Sequence, residues 1–310
     1  MRQGESMYLT NAFCSEVKHK YGEAGEAWLA ALPDTIDSCS ERWALNNLKL
    51  TDNYSNAILF GTSDTYGDVV LKICMKSTPE IKAVRLLSSS ALCKCCAADE
   101  TMWAMLLERV RPGNDLTSVA SEGDRVRIAA QLMLRLSGAS VEADGFPTYF
   151  QWVETAIQGL CRAGNVHESM FHFVGLAEKF VQDIEMLGRS PKLLHGDLHH
   201  ENILQSKDGQ WIAIDPQGVA GAPFLECVRF IVNEVGQAQE HEKAGRIASL
   251  AHAFSDVFHE SPRIIACGAF LDQLLILCAM YENNDEPDDI LQTLVQCRMV
   301  LEFIESHTKE

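Results

Sequence analysis

An α+β fold in two lobes, a small β-rich one followed by a larger helical one, is what this sequence predicts on three observations. Short apolar runs bounded by turn residues gather in the first third of the chain. Helix-period patterns dominate after about residue 115. A single late hairpin, at 203–214, interrupts the helical part and adjoins an ordered set of polar residues. The expected division puts residues 1–110 in the β-rich lobe, with an N-terminal helical extension, and residues 111–310 in the helical lobe.

In chain order, Tyr21–Leu32 reads as a helix stopped by Pro33, and Trp43–Thr51 as a strand. Asn56–Ser63 and Asp68–Cys74 are apolar runs joined by Asp64-Thr65-Tyr66-Gly67, a hairpin with a glycine turn. Pro79–Leu87 opens like a helix, with Pro and Glu in the first turn. Met105–Val110 is a further strand, ended by Arg111-Pro112-Gly113-Asn114. The late hairpin pairs Ile203-Leu204 with Trp211–Ile214 across Ser206-Lys207-Asp208-Gly209.

The stretch Leu194-His-Gly-Asp-Leu-His-His-Glu-Asn202, followed by Ile214-Asp-Pro-Gln-Gly218, carries the chemistry. It sets Asp197, then Asn202 five residues on, then Asp215 at the end of an apolar strand. Phosphoryl transfer in kinase-like enzymes uses this order for a base and two metal ligands. Asp197 would take the proton of an acceptor hydroxyl, and Asn202 and Asp215 would hold magnesium. Such a site also needs a cation on the third strand, and Lys72 is the only charge in Val69–Ile73. The alternative for Lys72 is an edge-strand lysine snorkelling to water. Glu80 is its candidate partner, or else a first-turn acid favoured by the helix dipole. No Gly-x-Gly-x-x-Gly precedes Lys72; Asp52-Asn53-Tyr54-Ser55-Asn56 stands there instead. Ser55 and Asn56 offer donors to phosphate oxygens, or serve as turn residues bonding their own backbone.

Composition narrows the class. With 310 residues, 47% of them hydrophobic, the chain can bury a sizeable core. The most apolar segment, Ile264–Met280, is interrupted by Asp272 and Gln273 and reads as a buried helix, not a membrane span. The first residues lack an apolar signal segment, so a cytoplasmic location is expected. Eleven cysteines without regular spacing do not form a disulfide framework, and Cys93, Cys95 and Cys96 lack a second ligand pair at zinc spacing. The net charge of −17 argues against nucleic acid or an anionic membrane as partner; it is compatible with a cationic substrate, or is simply that of an acidic protein and says nothing of the ligand, and the expected substrate is a cationic or hydroxylated small molecule. The expected assembly is a monomer or homodimer. Glu226 and the acidic run Tyr281–Asp289, with Glu282, Asp285 and Glu286, are the candidate acceptor-binding acids. The bland alternative for the run is a solvated loop capping a helix that starts near Ile290.

Taken together, these residues resemble the aminoglycoside/hydroxyurea antibiotic resistance kinases, a group within the protein-kinase-like superfamily. The resemblance runs from Tyr21-Gly-Glu-Ala-Gly-Glu-Ala-Trp28 through Arg42-Trp43, Ser55-Asn56, Val70-Leu-Lys72 and Leu107-Glu108-Arg109-Val-Arg-Pro112-Gly113 to both catalytic segments. It implies a protein-kinase-like bilobal fold, ATP, Mg2+ and O-phosphorylation of a small molecule: the hydroxyl of a streptomycin-like aminoglycoside or of hydroxyurea. By the same resemblance, Glu108 and Val110 look like the hinge whose backbone meets adenine. Gln217 stands where the family's Asp-Pro-Lys-Gly has lysine, and Ala222–Val228 and residues 75–100 also depart from the pattern. There is no Ala-Pro-Glu segment after Asp215, which argues against a protein substrate. A metabolic kinase of a sugar or amino alcohol would share every catalytic residue. A non-catalytic binding module would have lost one of Lys72, Asp197, Asn202 or Asp215, and all four are present.

Overall fold

The computed structural model describes residues 9–51, 55–75, 79–87, 89, 91–137, 145–162 and 166–307. Two compact units emerge: Met1–Gly113 with Gln205–Ile212, and Asn114–Leu204 with Ala213–Glu310. The division expected at residue 110 differs in one respect. The hairpin tip, residues 205–212, groups with the first unit although the strands leading to it start in the second.

The first unit opens with helix α1 (Asn11–Trp43), capped by Thr10, whose hydroxyl accepts the Phe13 N–H at 3.2 Å. α1 far exceeds the expected Tyr21–Leu32 and carries Pro33 inside it. The true interruption is Gly22, at φ 55° and ψ −134°. Proline in a helix interior costs about 3 kcal/mol. Here the stripe Leu29, Leu32, Ile36, Cys39 and Trp43 is buried at helical spacing, and its burial outweighs the lost backbone bond. Trp43 therefore ends a helix rather than opening a strand.

The sheet follows as β1 (Leu45–Leu50), β2 (Asn56–Ser63) and β3 (Gly67–Cys74), with helix α2 (Glu80–Leu86) before β4 (Cys95–Asp99) and β5 (Ala104–Glu108). Its order is β1-β2-β3-β5-β4, antiparallel throughout. Gly67, at φ 76°, closes the β2–β3 hairpin where the sequence placed it. Ala57, Leu59, Val69, Leu71, Ile73, Ala104 and Leu106 alternate onto one face and share a core with the α1 stripe. β4 has no apolar alternation, which is why the sequence did not reveal it. All eleven cysteines are free thiols.

The second unit is helical apart from short strands. In order come β6 (Pro112–Asp115), α3 (Glu122–Ser137), α4 (Tyr149–Leu160), α5 (Ser169–Glu185), β7 (Lys192–Leu194), the hairpin β8 (Ile203–Ser206) and β9 (Trp211–Ala213), β10 (Val219–Gly221), α6 (Val228–Gln237), α7 (Lys243–Phe258), α8 (Pro262–Asn283) and α9 (Pro287–Ser306). α8 is central, packing against α4, α5, α6, α7 and α9. It is the one described helix long and apolar enough to cross a membrane, and 78% of its apolar window is buried, as in a core helix. Asp272 and Gln273 lie buried within it. The short antiparallel pair β7–β10, with Leu194 opposite Val219, brackets the catalytic segment on both sides.

Candidate active site

In the first unit Lys72 sits mid-sheet, between Ile58 of β2 and Met105 of β5. It is 3% exposed, so the edge-strand alternative does not hold. Glu80, also 3% exposed, forms an ion pair with it from the first turn of α2. Two buried charges of opposite sign are tolerated only as a pair, since desolvating either alone costs several kcal/mol. Asn56 opens β2 opposite Cys74, and the Ser55 hydroxyl accepts from Lys20 Nζ at 3.3 Å. Asp52-Asn53-Tyr54 lie outside the described residues.

Glu108 ends β5. Its N–H donates to Lys94 O at 2.9 Å, while Lys94 N–H goes to the Glu108 carboxylate at 2.8 Å and not to its carbonyl. Its backbone thus offers an acceptor beyond the strand end, not a donor. Two residues on, Val110 N–H makes no hydrogen bond among the described residues. A recess of about 620 Å3 adjoins this segment, lined by Glu108, Arg109, Val110 and Arg111 and by Ser206, Lys207, Asp208 and Ile212 of the hairpin tip. An acceptor and a donor spaced two residues apart beside a recess suit the edge of a flat heteroaromatic ring.

In the second unit the catalytic segment is held by its own backbone and by His195. The buried His195 ring accepts the Asp197 N–H on Nδ1 at 3.3 Å, so Nε2 carries the proton, which it donates to Ile214 O at 2.7 Å. Its carbonyl accepts from Gln217 N at 2.8 Å and Gly218 N at 3.2 Å. Asn202 O accepts the Ile214 N–H at 2.9 Å. These bonds tie the segment that carries Asp197 and Asn202 to the one that carries Asp215. Asp215 sits at φ 61°, a backbone region costly for a non-glycine residue and characteristic of functional positions. Asn202 Nδ2 donates to Asp197 O at 2.9 Å, which leaves its side-chain oxygen as the end available to a cation. An amide oxygen and a carboxylate are hard oxygen donors of the kind Mg2+ takes, so the donor set fits that ion.

Asp197 is 29% exposed at its side chain and faces two basic groups: Arg229 Nε at 3.4 Å from Oδ1 and His199 Nε2 at 3.8 Å from Oδ2. Burial holds the His199 ring below its ordinary pKa. Arg229 is shared with the buried Asp272, at 3.2 Å, which accepts the Tyr149 hydroxyl at 2.9 Å. Burial works against the Arg229 charge, but Asp272 and Asp197 outweigh it and raise its pKa. His200, next in the segment, stacks on Phe230 and bonds Glu234, which also binds Arg125 and Arg246. Burial opposes the Glu234 charge, yet His200 and Arg125 hold its pKa down to about 2. Arg229, Asp272 and Glu234 were not legible as site residues, because each lies on a helix whose face is settled only by packing.

The acceptor acids need correcting. Glu226 is buried; its carboxylate accepts His195 N–H at 2.9 Å and is also bonded by the Gly196 N–H. Burial pushes its pKa up to about 7, against the pull of those two donors. It is a strut under the catalytic segment and cannot line an open acceptor surface. Glu282, Asp285 and Glu286 are exposed at the α8–α9 turn, where Glu286 O accepts from Ile290 N at 3.1 Å. A recess of about 400 Å3 does adjoin Asp197, but none of the four acids lines it; α6, α8 and α9 supply its walls.

The profile of the aminoglycoside/hydroxyurea antibiotic resistance kinases matches residues 87–265. A streptomycin 6-kinase of Streptomyces glaucescens is 27% identical over 225 residues, covering 66% of this chain and 68% of that protein. A hydroxyurea phosphotransferase of Kitasatospora aureofaciens is 27% identical over 232 residues, covering 70% and 66%. Among solved structures, a choline kinase from Streptococcus pneumoniae superposes with a TM-score of 0.66 at 13% identity, over 89% of this chain and 99% of that one. An aminoglycoside phosphotransferase in ternary complex with ADP and hygromycin B gives 0.59 at 14% identity, over 88% and 98%. The superpositions show a protein-kinase-like α+β fold. With more than half its length matched, the chain belongs to the aminoglycoside/hydroxyurea antibiotic resistance kinases and is a phosphotransferase.

Proposed function

We propose that this enzyme transfers the γ-phosphoryl group of ATP to the hydroxyl of a small antibiotic-type molecule, an aminoglycoside or hydroxyurea, and so inactivates it. The observation that carries this is the assembly of Asp197, Asn202 and Asp215 by His195 and the Asn202–Ile214 backbone bond. Asp197 accepts the proton of the acceptor hydroxyl and orients its oxygen for in-line attack. Asn202 and Asp215 hold Mg2+, which when bound neutralises charge on the phosphates. Lys72, kept in place by Glu80, contacts the α- and β-phosphate oxygens. The Glu108 carbonyl and the Val110 N–H receive the adenine edge in the recess they line. The relatives named for streptomycin and hydroxyurea support the acceptor class.

The test is to incubate the protein with ATP, Mg2+ and each of these two compounds and to follow the acceptor by mass spectrometry and 31P NMR. A phosphate ester that forms only when ATP and Mg2+ are both present is the expected result. Recovery of both compounds unmodified, with ATP bound, would contradict this acceptor class.

A further inference from the structure

The recess beside Asp197 is walled by carboxamides: Asn233 and Gln237 of α6, Gln273 of α8 and Gln296 of α9. Gln273 and Gln296 are 2% and 6% exposed. Gln296 Nε2 donates to Val232 O at 3.0 Å and to Gln273 Oε1 at 2.8 Å, which fixes the orientation of both amides. That leaves Gln296 Oε1 as an acceptor, and Gln273 Nε2 as a donor, with no partner among the described residues. Gln237 Nε2 donates to Asn233 Oδ1 at 3.0 Å, so Asn233 Nδ2 is a second free donor.

The charges of the lining point the same way. Among the described residues its only carboxylates are Asp197, already faced by Arg229, and Glu201, whose side chain is 74% exposed at the rim. Arg229 brings a guanidinium into the lining, backed by Asp272. An ammonium or guanidinium entering here would lose its water and find no buried carboxylate to replace it. A neutral amide or hydroxyl group would instead meet a ready donor and acceptor.

We propose that this recess selects an uncharged acceptor, a hydroxyl compound whose other polar groups are amides or further hydroxyls, and disfavours polycations, with Gln273 and Asn233 as specificity-determining residues. This rests on the phosphotransferase reading of the Asp197 site, and it decides between a cationic and a hydroxylated substrate, both of which the sequence left open. Within the two acceptor types proposed above, it favours the uncharged one.

The experiment compares kcat/KM for matched acceptor pairs that differ only in charge: an amino alcohol and its N-acetyl derivative, and an aminoglycoside before and after N-acetylation. Wild type, Asn233→Asp and Gln273→Leu are measured, with acceptor-independent ATP hydrolysis by wild type and Asp197→Asn as the control on the underlying reading. The expected result is a preference of about tenfold or more for the uncharged member. Asn233→Asp should move that preference toward the cation, and Gln273→Leu should raise the acceptor KM for the uncharged member while leaving the nucleotide KM unchanged. Asp197-dependent hydrolysis combined with equal or better use of the cationic member would overturn the inference and leave the phosphotransferase standing. Absence of Asp197-dependent nucleotide consumption under every condition would overturn both.

Discussion

Lys72 and Glu80 show how one residue pair ties stability to function. Each is buried, and each offsets the desolvation of the other. Lys72→Met should weaken folding by about 3–5 kcal/mol, because it removes the cation that faces the buried Glu80 carboxylate. Chemical denaturation of Lys72→Met and of the double variant Lys72→Met/Glu80→Leu separates the two roles. The double variant should recover most of the stability and none of the activity. Glu226 makes a pH prediction. Its pKa is raised by burial from 4.5 to about 7, so the folded state favours the protonated acid. That contribution is fully present below about pH 4.5 and is lost as pH rises through about 7. Glu226→Gln keeps an acceptor for the His195 N–H and does not titrate. Its unfolding free energy should therefore gain on wild type by about 3 kcal/mol between pH 4.5 and 7.5. A constant gap between the two over that range would contradict the assignment. The opposite trend belongs to Glu234, whose stabilisation fades only as pH falls toward about 2.

At the scale of elements, the catalytic segment is a short irregular stretch pinned at both ends by the β7–β10 pair. Gly196 is where that pinning leaves no room. It has φ 83°, and a Cβ there would lie 2.9 Å from the Trp152 and Val219 side chains. Gly196→Ala should cost about 1–3 kcal/mol of stability and lower kcat far more than it weakens nucleotide binding. Thermal unfolding and steady-state kinetics on the same preparation check both. The β2–β3 hairpin and the β8–β9 hairpin were legible because apolar alternation and a glycine turn are local signals. α1 was only partly legible, since Pro33 reads locally as a stop while the burial of Ile36, Cys39 and Trp43 is a tertiary effect. β4 had no local signal, because an edge strand of cysteines and alanines is held by long-range contacts: its pairing with β5 and bonds from Arg85 and Arg42.

At the scale of the whole chain, net charge is a poor guide to the acceptor. The charge of −17 was compatible with a cationic substrate without selecting one, and of the candidate acids Glu282, Asp285 and Glu286 are exposed at the α8–α9 turn while Glu226 is buried against the His195 backbone. Replacing Glu282, Asp285 and Glu286 with Gln, Asn and Gln should leave kcat/KM within about twofold at physiological salt, where exposed charges are screened. A large drop confined to cationic acceptors would restore the acid run as a substrate element. The proposed base and metal-binding residues could be picked out because Asp197, Asn202 and Asp215 lie in two short segments with fixed internal spacing. The acceptor wall was not, since Arg229, Asn233, Gln273 and Gln296 come from three helices that meet only through packing.

The most direct measurement is the rate of ADP formation by wild type and Asp197→Asn across a panel holding streptomycin, hydroxyurea and uncharged hydroxyl compounds, with nucleotide affinity measured in parallel. The expected result is acceptor-dependent turnover that falls about 10²- to 10⁴-fold in Asp197→Asn at unchanged nucleotide Kd. Equal turnover by the two proteins would contradict the central claim that Asp197 is the base of a phosphoryl transfer.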